Sequence, residues 1–247
     1  MSATSNMPQR IGAALQRHPL AYSAAATAVK LVGLMRRGRQ VDAYLGGTEQ
    51  RYLRIGSGRH TDPGWLAVDL VPVARGVVFM DATKPMPLPT GGFEAVQCEH
   101  VIEHVSYDDG QKMLRESHRV LRPGGVLRIA TPNLDLVRRL LTPGDPDPRL
   151  AAYVEWSNST FGTTAERRDL LNPAFTANRL VRRWGHVFLY DERTLRGALE
   201  ATGFSEIIRV RPGESAHEAL RGVDRHHEEI GVDANDLETL AFEAIAA

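Results

Sequence analysis

The chain has 247 residues, and its 30 basic and 30 acidic side chains give a formal net charge of zero. This length is enough to bury one large core, and the single cysteine, Cys98, excludes an internal disulfide framework. No apolar run approaches the roughly 20 residues that a membrane-spanning helix needs, and no secretory signal is apparent. The expected compartment is therefore a reducing one, the cytoplasm.

Residues 1–48 predict a basic helical arm. Six arginine and lysine side chains precede the first acid, Asp42, and a break in the helix is expected near Pro19. The arm can lie on an anionic membrane surface, or it can pack on the body as a solvated helix, and both interpretations stay open. At the other end, residues 213–247 predict an acidic helical tail with nine acids against two arginines.

Between these ends, short apolar runs alternate with helical patterns, which is typical of parallel βαβ units. Strands are predicted at residues 52–55, 65–68, 76–80, 93–97, 126–130 and 205–211. Helices are predicted over 108–121 and 191–201. The fold class is thus α/β, a doubly wound and mostly parallel sheet over residues 49–212, in which the irregular stretch 131–190 forms a lid. No seventh strand is apparent after Arg211, and two explanations stay open: part of the acidic tail replaces it, or the pattern of the sequence does not reveal it.

Two glycines follow the first predicted strand, and an acid ends the second. Ligands of such sheets bind at the carboxyl ends of the strands, and glycine lets the backbone approach them closely. The turn Gly56-Ser57-Gly58 and the acid Asp69 therefore predict a site for a nucleoside-containing cofactor. A nicotinamide dinucleotide is disfavoured, because Thr61 stands where its motif needs glycine. A phosphate-binding loop is excluded, because no Gly-Lys-Ser or Gly-Lys-Thr follows the turn.

Four features in order resemble the class I S-adenosylmethionine-dependent methyltransferases. They are the turn at residues 55–58, the acid Asp69, the pair Asp81-Ala82 and the run 119–127. The resemblance implies a Rossmann-like fold and a cofactor bound by Gly56, Ser57, Gly58, Asp69, Leu70, Asp81, Ala82, Cys98 and Glu99. Two departures concern the cofactor's amino group. Arg54 stands where the family has an acid, and His60 where it has a third glycine.

A second cluster, His100-Val101-Ile102-Glu103-His104, directly follows the fourth strand, whose end faces the transferred methyl group in this family. A helix beginning there would present His100, Glu103 and His104 on one face. The spacing is similar to the Glu-x-x-Glu-His element of metal-dependent relatives.

Three interpretations of this cluster stay open. His104 or His100 is a general base for a substrate hydroxyl, the three side chains bind Mg²⁺ or another divalent cation, or Glu103 and His104 form a structural pair. His186 is a further candidate ligand or base, with a packed side chain as its alternative. Cys98 is interpreted as a wall of the cofactor site rather than a nucleophile, since no evident base but His100 accompanies it.

The resemblance implies methyl transfer, and the lid suggests the acceptor. Its aromatic and acidic residues, including Trp156, Trp184 and Asp169, suit a sugar. O-methylation of a saccharide or other small hydroxylated metabolite is therefore favoured, and the sequence leaves open whether the chain forms a homodimer. A specific nucleic-acid partner is disfavoured, because basic and aromatic residues are not interleaved. The alternatives are a lipid or quinone O-methyltransferase at a membrane surface and a catalytically silent cofactor-binding protein.

Overall fold

The computed structural model describes residues 19–247, with side chains from residue 27 onward. Its centre is a seven-stranded sheet in the order β3-β2-β1-β4-β5-β7-β6. The strands are β1 (Tyr52–Ile55), β2 (Trp65–Asp69), β3 (Val78–Phe79), β4 (Phe93–Glu99), β5 (Leu121–Pro132), β6 (Phe204–Val210) and β7 (Thr239–Ala246). Strand β7 is antiparallel to both of its neighbours, whereas β1 to β5 pair in parallel. The predicted doubly wound α/β fold is confirmed.

Helices flank this sheet. Within the described residues they are α1 (Pro19–Gly47), α2 (Tyr107–Val120), α3 (Leu134–Leu140), α4 (Pro148–Phe161), α5 (Pro173–Arg182), α6 (Glu192–Glu200), α7 (His227–Ile230) and α8 (Val232–Glu238). Helix α2 begins where the Ser106 hydroxyl accepts a hydrogen bond from the Asp109 amide, and Asp191 caps α6 in the same manner. Helix α1 agrees with the predicted arm from Pro19 onward, and residues 1–18 of that arm lie outside the described residues.

None of the helices within residues 19–247 has the length and hydropathy that a bilayer-spanning segment requires.

The prediction of a wholly helical tail is wrong for its last residues. Residues Thr239–Ala246 form β7, which lies between β5 and β6 and is buried along nearly its whole length. A strand that is covered on both faces lacks the alternation of apolar and polar residues that identifies a half-exposed strand. Residues 122–125, between the predicted helix 108–121 and the predicted strand 126–130, lie within β5 at a shift in its register against β4.

One face of the sheet carries the main apolar core. Alternate strand residues such as Leu53, Val96 and Ile129 lie in one buried cluster. Helix α2 adds Met113 to this cluster, and helix α6 adds Leu195. These helices are the layer that the predicted βαβ pattern requires on this side of the sheet.

A row of buried polar side chains crosses the opposite face. The strand register aligns Arg54, Gln97, Arg128 and Glu243 side by side on β1, β4, β5 and β7, and each is at most 3% exposed. Residues 56–64, which connect β1 to β2, form turns rather than a helix, so no helix of this connection covers the row. Buried polar groups need partners, and the C-terminal tail supplies them.

The tail covers the polar face through one arginine. The Arg128 guanidinium donates to the Asp224 carboxylate, to Glu243 Oε1 at 2.7 Å and to the Glu214 carbonyl at 2.8 Å. Just before the tail, the carbonyl oxygen of Arg211 also accepts a hydrogen bond from this guanidinium at 3.1 Å. Beside this network, tail residues Leu220 and Val223 belong to an apolar cluster with Ala95 and Val126 of the sheet. The tail therefore functions as a structural layer of the domain.

The predicted irregular lid at residues 131–190 contains helices with a core of their own. Helices α3, α4 and α5 pack through Leu136, Leu150 and Leu180, and Leu237 of α8 joins them. The Tyr153 hydroxyl of α4 donates a hydrogen bond to the Glu238 carboxylate at the end of α8. Lid and tail are thus in contact, and both lie near the strand ends described next.

Candidate active site

A cavity of about 600 Å³ opens at the carboxyl ends of β1 and β4. This is the edge at which doubly wound sheets bind ligands. Five parts of the chain line it: the turn after β1, Val73 in the connection after β2, the segment after β4, the lid and the tail. The lining residues are Gly56, Ser57, Gly58, Arg59, His60, Val73, Glu99, His100, Glu103, His104, Phe161, Trp184, His186, Arg225, His226, Glu229, Ile230 and Glu238.

The predicted site residues divide into two groups. Those in the cavity wall are Gly56, Ser57, Gly58, Glu99, His100, Glu103, His104 and His186. Those outside its lining are Asp69, Leu70, Asp81, Ala82 and Cys98. The Asp81 carboxylate accepts hydrogen bonds from the amide and the hydroxyl of Thr83. Cys98 is 1% exposed and burial raises the pKa of its thiol, which disfavours a nucleophilic role.

The glycine turn leaves room for a ligand against the backbone. Gly56 has φ +70°, and a Cβ there would lie 2.0 Å from Cγ2 of Val101, so no other residue fits. Gly58 has φ +57°, and a Cβ there would contact nothing within 4 Å. Asp69 stabilises this turn, since its carboxylate accepts hydrogen bonds from the amides of Gly58 at 2.9 Å and Val71 at 2.8 Å. The turn fits a cofactor that approaches the open side.

The predicted helix over His100, Glu103 and His104 is wrong. His100 has φ +50°, a left-handed conformation that is uncommon outside glycine, and only one 3₁₀ turn, Ile102–His104, follows it before α2. The side chains meet nevertheless. His100 Nδ1 lies 3.2 Å and His104 Nε2 3.9 Å from Oε1 of Glu103. Backbone strain of this kind is retained where the surrounding structure requires it, often at functional sites.

Glu103 is the buried centre of this cluster. Its Oε2 accepts a hydrogen bond from the Thr131 hydroxyl at 3.0 Å, and its side chain is fully buried. Burial alone would raise the pKa of Glu103, but the contact with His100 and the charges of His100 and His104 lower it below its usual value. Burial lowers the pKa of His100, and the contact with Glu103 outweighs this and raises it. Both shifts favour a buried carboxylate–imidazolium pair.

His186 places an unprotonated ring nitrogen near Glu103 and His104. Its Nδ1 lies 2.6 Å from the Leu180 carbonyl, which only accepts, so Nδ1 carries the proton and Nε2 has a free lone pair. Burial is the main cause that lowers the pKa of His186. Glu103, His104 and His186 each offer one ligand atom, and these atoms lie within 4.8 Å of one another. His186 thus joins the predicted cluster, whereas His100 pairs with Glu103.

The tail supplies site residues that the sequence did not predict. Both oxygens of Glu99 accept hydrogen bonds from the tail backbone, from the Arg225 amide at 2.7 Å and the His226 amide at 2.9 Å. The His226 ring lies 3.8 Å from the His100 ring, measured between centroids. These partners are 126 and 127 positions apart in the chain, so no local pattern indicates them.

Residues 64–129 match the family model of a methyltransferase domain. Residues 64–129 therefore resemble a methyltransferase domain. The match covers 66 of the 247 residues, and it includes Asp69, Asp81 and the segment 98–104. With the observed fold, the resemblance to the class I S-adenosylmethionine-dependent methyltransferases is confirmed. A comparison of this chain with curated protein sequences finds no match.

Several solved structures are similar to this chain in part of their fold. One is an S-adenosylmethionine-dependent methyltransferase from Archaeoglobus fulgidus, with 16% identity over 92% of this chain and 99% of that chain and a TM-score of 0.48. The CurJ carbon methyltransferase has 14% sequence identity over 80% of this chain and 48% of that chain, with a TM-score of 0.41. Phosphoethanolamine N-methyltransferase 2 of Haemonchus contortus has 14% sequence identity over 83% of this chain and 51% of that chain, with a TM-score of 0.41. The chain spans about half the length of the last two.

Proposed function

We propose that this methyltransferase transfers a methyl group from S-adenosylmethionine to a hydroxyl oxygen of a small, saccharide-like acceptor. One observation carries the proposal. His104, His186 and the buried carboxylate of Glu103 meet in the cavity that the glycine turn borders. Imidazoles beside a carboxylate are suited to removing a proton from a hydroxyl, and this accelerates such reactions by about 10²- to 10⁴-fold.

The cofactor-binding part rests on the glycine turn and the acid below it. Gly58 offers open backbone to the cavity, and Asp69 has free lone pairs on both carboxylate oxygens beside the two amide contacts. When bound, the cofactor supplies an already activated methyl group. The protein's own residues therefore align the acceptor and remove its proton, and alignment alone contributes up to roughly 7–11 kcal/mol in favourable model systems.

Removal of the proton is assigned to His186. His186 Nε2 accepts the acceptor's proton, because its pKa is lowered and its Nδ1 stays bonded to the Leu180 carbonyl. The negative charge of Glu103 stabilises the imidazolium that then forms beside it. His104 lies with its ring 5.2 Å from that of His186, between centroids, and completes the polar wall.

The same trio has the donor set of a divalent-cation site, and metal assistance is the second form of this proposal. Two imidazole nitrogens and one carboxylate oxygen suit Mn²⁺ or Zn²⁺ better than Mg²⁺. An ion there would lower the pKa of an acceptor hydroxyl. Titration with Mn²⁺ can be monitored by the electron paramagnetic resonance signal of the free ion. We expect it to reveal one binding site in the wild type and none in His186→Ala. Absence of any site would leave His186 as the base.

The lid gives the reason for a saccharide-like acceptor. Trp184 is about half exposed in the cavity wall, with φ +61°, and the Phe161 ring packs edge-on against it at 5.5 Å. The carboxylate of Glu238 lines the same cavity. Aromatic faces can stack on sugar rings while a carboxylate accepts hydrogen bonds from their hydroxyl groups.

A second candidate function is methylation of a lipid or quinone at a membrane surface, and helix α1 favours it. The side chains of Leu31, Leu34 and Met35 are exposed on α1 next to basic residues. Gly33 of α1 packs against Pro72, and the neighbouring residue Val73 lines the cavity. Sedimentation with anionic and with neutral vesicles, at low and high salt, distinguishes this candidate, because only anionic vesicles at low salt should retain the protein.

The proposed function is tested by release of S-adenosylhomocysteine with a panel of acceptors. Turnover with hydroxylated saccharides, and none with amine or carbon acceptors, is the expected result. Turnover that EDTA abolishes and Mn²⁺ restores would support the metal-assisted form. Binding of the cofactor product without turnover on any acceptor would instead indicate a catalytically silent cofactor-binding protein.

The pH dependence of turnover follows from His186. A base works only when it is unprotonated, and burial lowers the pKa of His186 below the roughly 6.5 of a free imidazole. We expect kcat to rise with pH through this lowered pKa, so that the acid limb has its midpoint below about pH 6.5. The control His217→Ala changes an exposed histidine outside the cavity lining and should keep the limb. An acid limb that persists unchanged in His186→Ala would contradict the assignment.

A further inference from the structure

Arg54 replaces the acid that the family has on β1, so the cofactor's amino group lacks its usual partner there. Arg54 occupies the β1 position at which the family resemblance implies an acid for the cofactor's amino group. It is 3% exposed, forms an ion pair with Asp62 at 2.8 Å and donates to the Val223 carbonyl at 3.3 Å. Its side chain therefore lies on the tail-covered face of the sheet, away from the cavity. Strand β1 offers no carboxylate to an ammonium group.

The tail lies across the strand ends where that amino group would be. Glu99, at the end of β4, binds the amides of Arg225 and His226. The Arg225 guanidinium reaches Asp62 in the connection after β1, at 3.2 Å. Asp224, the preceding residue, is paired with Arg128 in the buried row. Residues 224–226 are thus fixed to β4, to β5 and to the connection after β1, beside the glycine turn.

This fixed segment brings two opposite charges to the cavity wall. Arg225 and Glu229 line the cavity together with the turn Gly56-Ser57-Gly58. The Glu228 amide donates to the Arg225 carbonyl at 2.9 Å, so the segment is a helical turn on which positions four apart lie on one side. Within residues 19–247, the Glu229 carboxylate makes no hydrogen bond or ion pair, and Arg225 keeps N–H donors beyond those used for Asp62 and Glu228.

We propose that tail residues 225–230 complete the cofactor site, with Glu229 binding the ammonium group and Arg225 the carboxylate of the cofactor's amino-acid end. The inference rests on the proposed use of S-adenosylmethionine. It assigns to the tail the role that Arg54 cannot perform on β1. The ligand class is a zwitterionic amino acid attached to a nucleoside, and the two charges of the tail match the two charges of that end.

Calorimetric titration with two ligands tests this assignment. S-adenosylhomocysteine carries the amino-acid end, whereas 5′-methylthioadenosine has the same nucleoside thioether without it. Glu229→Gln should weaken binding of the first by about tenfold or more, as expected for the loss of a charged hydrogen bond, and leave the second within about twofold. Asp233→Asn, an exposed tail acid outside the cavity lining, is the matched control and should change neither.

Equal weakening of both ligands by Glu229→Gln, or no change in either, would overturn the inference. A second readout is independent of the variant. Amide deuterium exchange across residues 212–230 should slow when S-adenosylhomocysteine binds and remain unchanged with 5′-methylthioadenosine. If neither ligand binds the wild type, the proposed function itself is contradicted. If the wild type binds both ligands with equal affinity, only the role of the tail is overturned.

Discussion

Replacing Glu103 with glutamine is expected to reduce kcat by about 10²- to 10⁴-fold, the usual contribution of positioned acid–base groups, while the protein stays folded. The glutamine amide keeps the shape of the side chain, and its oxygen can still accept the hydrogen bond from the Thr131 hydroxyl. It removes the negative charge that faces His100 and His104. Without this charge, the imidazolium that forms during proton removal loses its nearest counter-ion, and a bound cation would lose one ligand.

The measurement is kcat for Glu103→Gln on the best acceptor of the panel, alongside S-adenosylhomocysteine affinity. Affinity should remain within about threefold, because the charge faces the histidines rather than the glycine turn. Glu94→Gln is the matched control, since Glu94 lies on β4, the strand before the turn that carries Glu103, and its carboxylate makes only a surface contact with Arg122 at 3.6 Å. A Glu103→Gln protein with wild-type kcat would remove the cluster from the chemistry.

Replacing Arg128 with methionine is expected to destabilise the fold by about 3–5 kcal/mol, because one partner of a buried ion-pair network is lost and two carboxylates are left uncompensated. Those carboxylates belong to Asp224 and Glu243, both at most 1% exposed. Typical domains have only about 5–15 kcal/mol of stability, so the loss is a large fraction of the total. The tail should detach first, because Asp224 is its anchor on the sheet.

Urea unfolding of Arg128→Met measures this effect. Arg122→Met is the control on the same strand, where the exposed pair with Glu94 should contribute at most about 1 kcal/mol. A compensated variant, Arg128→Met with Asp224→Asn and Glu243→Gln, removes both buried charges and should recover part of the loss. Equal stability of Arg128→Met and Arg122→Met would contradict the structural role of the buried row.

Local patterns in the sequence predict the strands and helices that have local causes. Strand β1 ends at the residue before the glycine turn, as predicted, and α2 lies within one residue of the predicted 108–121. Strand β7 was missed because it is buried along nearly its whole length, so its sequence has no alternating pattern. The tail's role was missed because it depends on contacts such as Arg128 to Asp224, 96 positions apart.

The sequence indicated which segments line the cavity at the strand ends, but not the geometry of their side chains. The rule that ligands bind at strand ends located the turn at 56–58 and the cluster after β4 without any coordinates. The helix inferred from the spacing of His100, Glu103 and His104 did not form, since the backbone at His100 is left-handed. The buried row contained one readable signal. Arg54 and Arg128 are charged residues inside otherwise apolar strands, and such residues need a covering partner.

The central claim is that a nucleoside sulfonium cofactor binds at the glycine turn above Asp69, and calorimetric titration with S-adenosylhomocysteine tests it most directly. We expect saturable binding of one molecule per chain, weakened about tenfold or more in Asp69→Ala, which removes a charged hydrogen-bond acceptor and loosens the turn at Gly58. Absence of binding heat in the wild type, together with an unchanged melting temperature in excess ligand, would contradict the claim.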